Sequence, residues 1–325
     1  MAENFILGVD VGGTKVAAGL VNHQGQIVAR VRRPMIAQRS ADEGLAAVMR
    51  AIEAAQAAAA ARDITPTAVG ISAPGYVDPH LGVVIRATNL PCWRDFPLGL
   101  RIADALGLPV ALDNDGNAAA LAEAQWGAGV GFGSVFYVTL GTGIGTGFVI
   151  QRRIWHGRTG AAAEGGHMPI DYRGPRCLCG KRGCIEMFAA GPAIAARARA
   201  RLKRRHKTKS KLLELAGGRA DRLTPEIIGK ASLEGDPLAT EVLEETADYL
   251  AIWLGSIIDL LEPEVIVMGG GLGHLMSNFL GHIRSRLEVW SINLRSGEIP
   301  IVSANYGAQS GIAGAAALCL QAAPP

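Results

Sequence analysis

Aromatic residues make up only 5% of the 325-residue sequence, and its formal net charge is only +3. So small a charge leaves no general electrostatic footprint for a nucleic acid or a membrane surface. Long apolar runs are missing as well. The most apolar long segment, residues 249–261, is too short for a bilayer and contains Asp259, so a buried helix is expected there. The opening residues MAENF carry no basic region followed by an apolar stretch and cleavage site, and a cytoplasmic location is expected. Neither a GxxxxGK[ST] loop nor a GxGxxG opening a helix after the first strand occurs, which excludes the Walker and Rossmann phosphate schemes. Five cysteines, an odd number with no secretory leader, argue against a disulfide framework.

What is present is a chain long enough for two domains, rich in alanine and with 42 glycines. Residues 5–11 read as a strand ending in Gly12 and Gly13. Residues 16–21 and 27–31 flank a turn at residues 22–25, as in an antiparallel meander. A breaker-poor stretch, 43–62, predicts a helix. Strands are expected at 68–72 and 110–112, with a helix starting near Asn117. A second strand, glycine-rich turn and strand follow at 134–140, 141–147 and 148–150. Residues 192–261 read as mainly helical, 265–268 and 299–303 as strands, and a small-residue helix closes the chain. The repeated strand-turn-strand order predicts two α/β domains, 1–116 with 305–325, and 117–304.

Three glycine-rich turns follow strands. Asp10-Val11-Gly12-Gly13-Thr14-Lys15 offers a carboxylate for magnesium through water, then backbone N–H groups, a hydroxyl and an ammonium suited to phosphate. Gly141-Thr142-Gly143 offers a second such turn. Gly269-Gly270-Gly271 offers a third, where missing side chains would let adenine lie on the backbone. Each alone is also what an ordinary hairpin or strand-to-helix turn looks like. Together, two of them in repeated halves, they point to a nucleotide.

His167, Cys177, Cys179 and Cys184 form a full tetrahedral set for structural Zn2+, with Gly180 and Gly183 letting the loop fold back. Cys92 and Cys319 are isolated and expected to be inert. Glu164 lies three residues before His167, and Glu186 two after Cys184. Closing the metal site would therefore bring both carboxylates together, an arrangement suited to a polyol. Asp113 and Asp115 follow the strand ending at Leu112. Either serves as a proton acceptor for a hydroxyl, or as a cap of the following helix.

With these residues in place, the chain resembles the ROK family of sugar kinases and repressors, within the actin, hexokinase and Hsp70 group. The resemblance is carried by the turn at Asp10, by residues 73–78 and 89–93, by Asn114-Asp115-Gly116-Asn117, by residues 166–167 and 177–186, and by residues 307–315. It implies an α/β, ribonuclease H-like two-domain fold with an active-site cleft between domains, and phosphorylation of a hexose 6-hydroxyl by ATP with Mg2+. Asp115 is implied as the general base. Gly75, Asn89, Asn114, Glu164, His167 and Glu186 are implied at the sugar. Asp10, Gly12, Gly13, Thr14, Lys15, Gly141, Thr142, Gly143 and Gly269, Gly270 and Gly271 are implied at the nucleotide. Glucose is the expected hexose, with N-acetylhexosamines, mannose and fructose as alternatives and polyphosphate as an alternative donor. A homodimer or homotetramer is expected.

The sequence departs from the family pattern at Ala163, Gly165, Gly116 and Thr146, none of which removes a proposed chemical group. Family repressors place a helix-turn-helix domain ahead of this part, and here the first turn comes at residue 10, which favours a kinase. Use of the cysteine cluster as a nucleic-acid finger, with the basic stretch 197–211 as footprint, is disfavoured by the net charge. A solvated helix and loop is the expectation for that stretch.

Overall fold

A computed structural model describes residues 4–36, 40–87, 89–204 and 210–321. The first antiparallel meander is β1 (Phe5–Val11), β2 (Lys15–Val21) and β3 (Ile27–Pro34), followed by α1 (Ala41–Ala60), whose N-cap Ser40 accepts the Glu43 N–H. Next come β4 (Pro66–Ala73), a small antiparallel sheet of β5 (Tyr76–Asp78), β6 (Val83–Arg86) and β7 (Arg94–Phe96), then α2 (Leu98–Leu106), β8 (Val110–Asn114) and α3 (Asp115–Trp126). The main sheet runs β3-β2-β1-β4-β8, with β1, β4 and β8 parallel.

The chain continues with β9 (Ser134–Leu140), β10 (Ile144–Ile150) and β11 (Arg153–Ile154). Helices α4 (Glu186–Ala189), α5 (Gly191–Arg204), α6 (Lys211–Leu215), α7 (Pro225–Leu233) and α8 (Pro237–Leu261) follow. The last elements are β12 (Val265–Gly269), α9 (Gly270–Met276), α10 (Leu280–Trp290), β13 (Ile301–Ser303) and α11 (Ser310–Leu318). A second five-stranded sheet has the order β11-β10-β9-β12-β13. The expected glycine-rich turn 141–147 is shorter than read. Its strand resumes at Ile144, because glycines at 145 and 147 are tolerated within β10. No described helix is long and apolar enough to cross a membrane.

Contacts divide the chain into one unit of Met1–Tyr137, Gly147–Ala163 and Asn305–Pro325, and another of Val138–Thr146 and Glu164–Ala304. This grouping differs from the expected division after residue 116 by placing residues 117–137, with α3, and Gly147–Ala163 in the first unit. What holds α3 there is α11. In β1, Leu7, Val9 and Val11 face a core with Val48 and Ile52 of α1, while Ile6 turns to the other face with Ile312 and Ala316. On that second face α11 rests directly on the sheet backbone. A Cβ on Gly70 would lie 1.7 Å from the Ala315 carbonyl oxygen, and one on Gly8 2.1 Å from that of Ile312. Gly314 brings α11 close to α3 as well, where a Cβ would lie 2.5 Å from the Ala118 carbonyl oxygen.

A buried carboxylate completes this packing. Glu123 of α3 is fully buried and accepts the backbone N–H groups of Ala128 (2.9 Å), Asn305 (3.1 Å) and Tyr306 (2.9 Å). It thereby ties α3 to the chain entering α11. The Tyr306 hydroxyl donates to the Gly25 carbonyl, and burial together with the Glu123 charge pushes its pKa up to about 12.

In the second unit the basic stretch is less solvated than expected. Arg197 and Arg201 of α5 pair with Glu245 and Glu241 of α8 at 2.8–3.2 Å. These cations are committed to helix packing. Residues 205–209 of the stretch lie outside the described residues.

The backbone contact of α11 predicts opposite outcomes at two glycines. Gly70→Ala should destabilise the chain by about 3 kcal/mol through overpacking. Gly281→Ala, in α10 with open space around the new methyl, should be neutral or stabilising by up to about 1 kcal/mol. Urea unfolding midpoints of the two variants check both.

Candidate active site

In the first unit β8 carries Asp113 next to its end, and α3 begins immediately after it with Asp115. Asn114 is the N-cap: its side-chain oxygen accepts the N–H groups of Gly116 (2.8 Å) and Asn117 (3.4 Å). The cap reading therefore falls on Asn114, with neither aspartate as the cap, and the helix starts two residues earlier than expected. The Asn114 amide donates to the Gly75 carbonyl at 2.8 Å. Gly75 has φ 89, and a Cβ there would strike the Arg86 carbonyl oxygen at 2.3 Å. Gly75, Asn114 and Asp115 are thus brought together by one hydrogen bond and one helix start.

The two aspartates then separate in character. Asp113 is 2% exposed, and its Oδ1 accepts the Asn114 N–H (2.6 Å) and the Asn117 side-chain amide (3.0 Å). Its Oδ2 lies 2.5 Å from Nε2 of His156. Asp113 is consumed by the scaffold. Asp115 stands exposed in the first turn of α3, and its Oδ1 accepts the Gly116 N–H at 2.9 Å. His156 carries no signal in the sequence, since it lies 43 residues from Asp113.

The first glycine turn also lies in this unit. Gly12 N–H donates to the Lys15 carbonyl at 2.9 Å, closing the turn between β1 and β2. A Cβ on Gly13 would lie 2.9 Å from the Cβ of Asn89, so the turn and Asn89 are in contact. Thr14 and Lys15 are exposed. Asp10 pairs in register with Ser72 of β4, whose hydroxyl donates to its Oδ1 at 3.1 Å. Burial raises the Asp10 pKa above its ordinary value, against the Ser72 hydrogen bond and the charges of Lys15 and Arg32. A carboxylate kept costly by burial, with one oxygen oriented, suits a hydrated divalent cation.

In the second unit, Gly141 N–H closes on the Gly143 carbonyl at 3.0 Å, and the Gly141 carbonyl accepts Gly191 N–H at the start of α5. Thr142 is exposed. The third turn is a helix start: Gly270 has φ 81 and opens α9, with its Cα against the Leu140 carbonyl. A Cβ on Gly271 would meet open space.

The cysteine cluster is assembled as the spacing predicts. The ligand atoms of His167, Cys177, Cys179 and Cys184 all lie within 4.8 Å of one another. Sγ of Cys179 and Cys184 are 3.6 Å apart, as are Sγ of Cys177 and Nδ1 of His167. With Zn–S bonds of about 2.3 Å, a tetrahedron has edges of about 3.8 Å, so the four atoms fit zinc. Gly180 (φ 95) and Gly183 (φ 71) make the loop's reversals, and a Cβ on Gly183 would overlap the Asp171 carbonyl. Burial pushes the Cys177 thiol up, and burial with its sulfur neighbours pushes Cys184 up to about 12. A bound cation would hold these sulfurs as thiolates.

Glu164 and Glu186 flank this cluster. Glu186, first residue of α4, accepts the Ile144 N–H at 3.0 Å. Burial raises the Glu164 pKa; the His167 imidazole works against this and the Glu186 charge adds to it, so the two carboxylates interact. The turn Gly165–His167 is pressed on β10: a Cβ on Gly166 would lie 2.0 Å from the Ile144 carbonyl oxygen. The Gly165 N–H donates to Thr146 Oγ1 at 2.8 Å and its carbonyl accepts Trp253 Nε1–H at 3.0 Å. Trp253 carried no signal in the sequence, because only the fold brings it to position 165.

Comparison with known proteins finds similarity over nearly the whole chain. The ROK family profile covers residues 6–322. The glucokinase of Streptomyces coelicolor is 34% identical over 321 residues, covering 98% of both chains. The crystal structure of a ROK family glucokinase from Streptomyces griseus, in complex with glucose and AMPPNP, superposes with TM-score 0.82 and 34% identity over 97% of this chain and 99% of that one. A ROK family transcriptional regulator, a homologue of the E. coli MLC protein, superposes with TM-score 0.85 and 28% identity, over 97% of this chain and 77% of that one. The fold is the actin/hexokinase-like two-domain α/β fold, and the chain belongs to the ROK family.

Proposed function

We propose that the chain is a sugar kinase that transfers the γ-phosphoryl group of ATP to the 6-hydroxyl of glucose. The observation that carries this reading is the end-to-end similarity to glucokinases, with the exposed Asp115 at the start of α3 beside Asn114 and Gly75. The Asp115 carboxylate takes the proton of the 6-hydroxyl as its oxygen attacks the γ-phosphorus. The new O–P bond forms as the bond to the β-phosphate oxygen breaks, and ADP leaves.

Asn89, Asn114, Glu164, His167 and Glu186 hold the remaining sugar hydroxyls. Paired carboxylates accept two such hydrogen bonds, and each is stronger than a neutral one. Gly12, Gly13, Thr14 and Lys15, with Gly141, Thr142 and Gly143, bind the phosphates through backbone N–H groups, the hydroxyls and the ammonium. Gly269, Gly270 and Gly271 lie against the nucleoside. Asp10 would hold Mg2+ through water, where the ion would neutralise phosphate charge. The Cys3His set would hold Zn2+ as a structural ion, since four protein ligands leave no position for water.

A sugar-sensing regulator without catalysis is the second reading, favoured by the likeness to the ROK regulator. It retains the sugar residues and needs no phosphoryl transfer. A coupled ADP-release assay over a hexose panel separates the two: turnover highest with glucose is expected, and none with any hexose would sink the kinase reading.

Two outcomes test the assignments. Asp115→Asn should lower kcat by about 10²- to 10⁴-fold with little change in the glucose KM; near-normal turnover would remove Asp115 as the base. Elemental analysis should find one zinc per chain, and stripping it with a chelator should weaken glucose binding before the circular dichroism signal is lost. Loss of both together would give the metal a purely folding role.

A further inference from the structure

Both polar groups of Gly165 are held by side chains from distant parts of the second unit. Its N–H donates to Thr146 Oγ1 at 2.8 Å, and its carbonyl accepts Trp253 Nε1–H at 3.0 Å and Met168 N–H at 3.0 Å. Thr146 is 6% exposed and Trp253 fully buried. A Cβ on Gly165 would lie 3.0 Å from Thr146 Oγ1 and 3.2 Å from Trp253 Cζ2, so these side chains fill the room a residue there would use. Glu164 precedes this peptide and His167 ends the same short turn, closed by the His167 N–H to the Glu164 carbonyl at 3.1 Å.

The start of β10 therefore carries three contacts in sequence. Ile144 N–H holds the Glu186 carboxylate, the Ile144 carbonyl abuts Gly166, and the Thr146 hydroxyl takes the Gly165 N–H. One short strand segment sets the places of both glutamates. The two ends of Gly165 are not equally protected. Its carbonyl has two donors, but an N–H makes one good hydrogen bond, and without the hydroxyl it would be buried unpaired.

We propose that Thr146 is a positioning residue of the sugar site: its hydroxyl fixes the Gly165 peptide and so sets where the Glu164 carboxylate stands relative to that of Glu186. This rests on the reading, given above, that both glutamates bind the sugar. Thr146 itself need not touch sugar. Its effect should fall on sugar binding and leave nucleotide binding alone, which a general loss of packing would not do.

The test uses the full chain with Thr146→Val, which keeps the shape and removes the hydroxyl, and Thr146→Ser, which keeps the hydroxyl. Glucose Kd is measured by titration calorimetry, and KM for glucose and ATP by ADP release. Thr146→Val should weaken glucose binding about tenfold, in line with an unpaired buried donor, and leave the ATP KM within twofold. Thr146→Ser should stay within about threefold of the unmodified chain. Should Thr146→Val fail to fold, Thr146→Ala carries the same expectation. Unchanged glucose Kd in the variant without the hydroxyl, or equal losses for Ser and Val, would overturn the role. A chain that binds glucose but transfers no phosphoryl group loses only the kinase reading, and the Kd series still decides Thr146. No glucose binding by the unmodified chain would overturn both.

Discussion

Backbone lies against backbone where side chains are missing, and both units depend on that contact. In the first unit Gly8 and Gly70 let α11 rest on β1 and β4, and Gly314 lets it rest on α3, which starts at Asp115. In the second, Gly166 lets the turn after Glu164 rest on the Ile144 carbonyl. Contacts this close tolerate no added methyl, since protein interiors are packed to the density of organic crystals. A functional side chain adjoining such a contact inherits its rigidity. That is how an exposed aspartate and a pair of glutamates can be held in place while remaining open to a ligand.

The same logic separates groups used for chemistry from groups used for building. Glu123 and Asp113 are both buried acids, and each joins neighbours in sequence to a distant part of the chain. Such acids hold helices in register and are not available to a substrate. Asp115, two residues from Asp113, sits on the outer side of the same helix start. Position relative to the cap at Asn114 decides which aspartate is buried and which is exposed.

Much of this was legible in the sequence, for local reasons. The Cys3His spacing, the turn at Gly12 and Gly13, the helix after Asn114 and the main strands of both five-stranded sheets rest on residues close in sequence. What escaped rests on long-range partners. In the sequence Thr146 is only a departure from the family pattern, and its meaning appears with Gly165 and Trp253 beside it. The pairing of Asp113 with His156, and the hold of Glu123 on residues 305 and 306, likewise span distances that periodicity cannot report. The arginines of α5 read as a solvated face because their partners lie on α8, some 40 residues later.

The central claim, that this member of the ROK family phosphorylates glucose, is tested most directly by phosphorus NMR of the chain incubated with ATP, Mg2+ and glucose. The account predicts a phosphomonoester resonance coupled to the two C6 protons of the sugar, growing in step with ADP. Glucose that binds but stays unphosphorylated, with ATP intact, would contradict it.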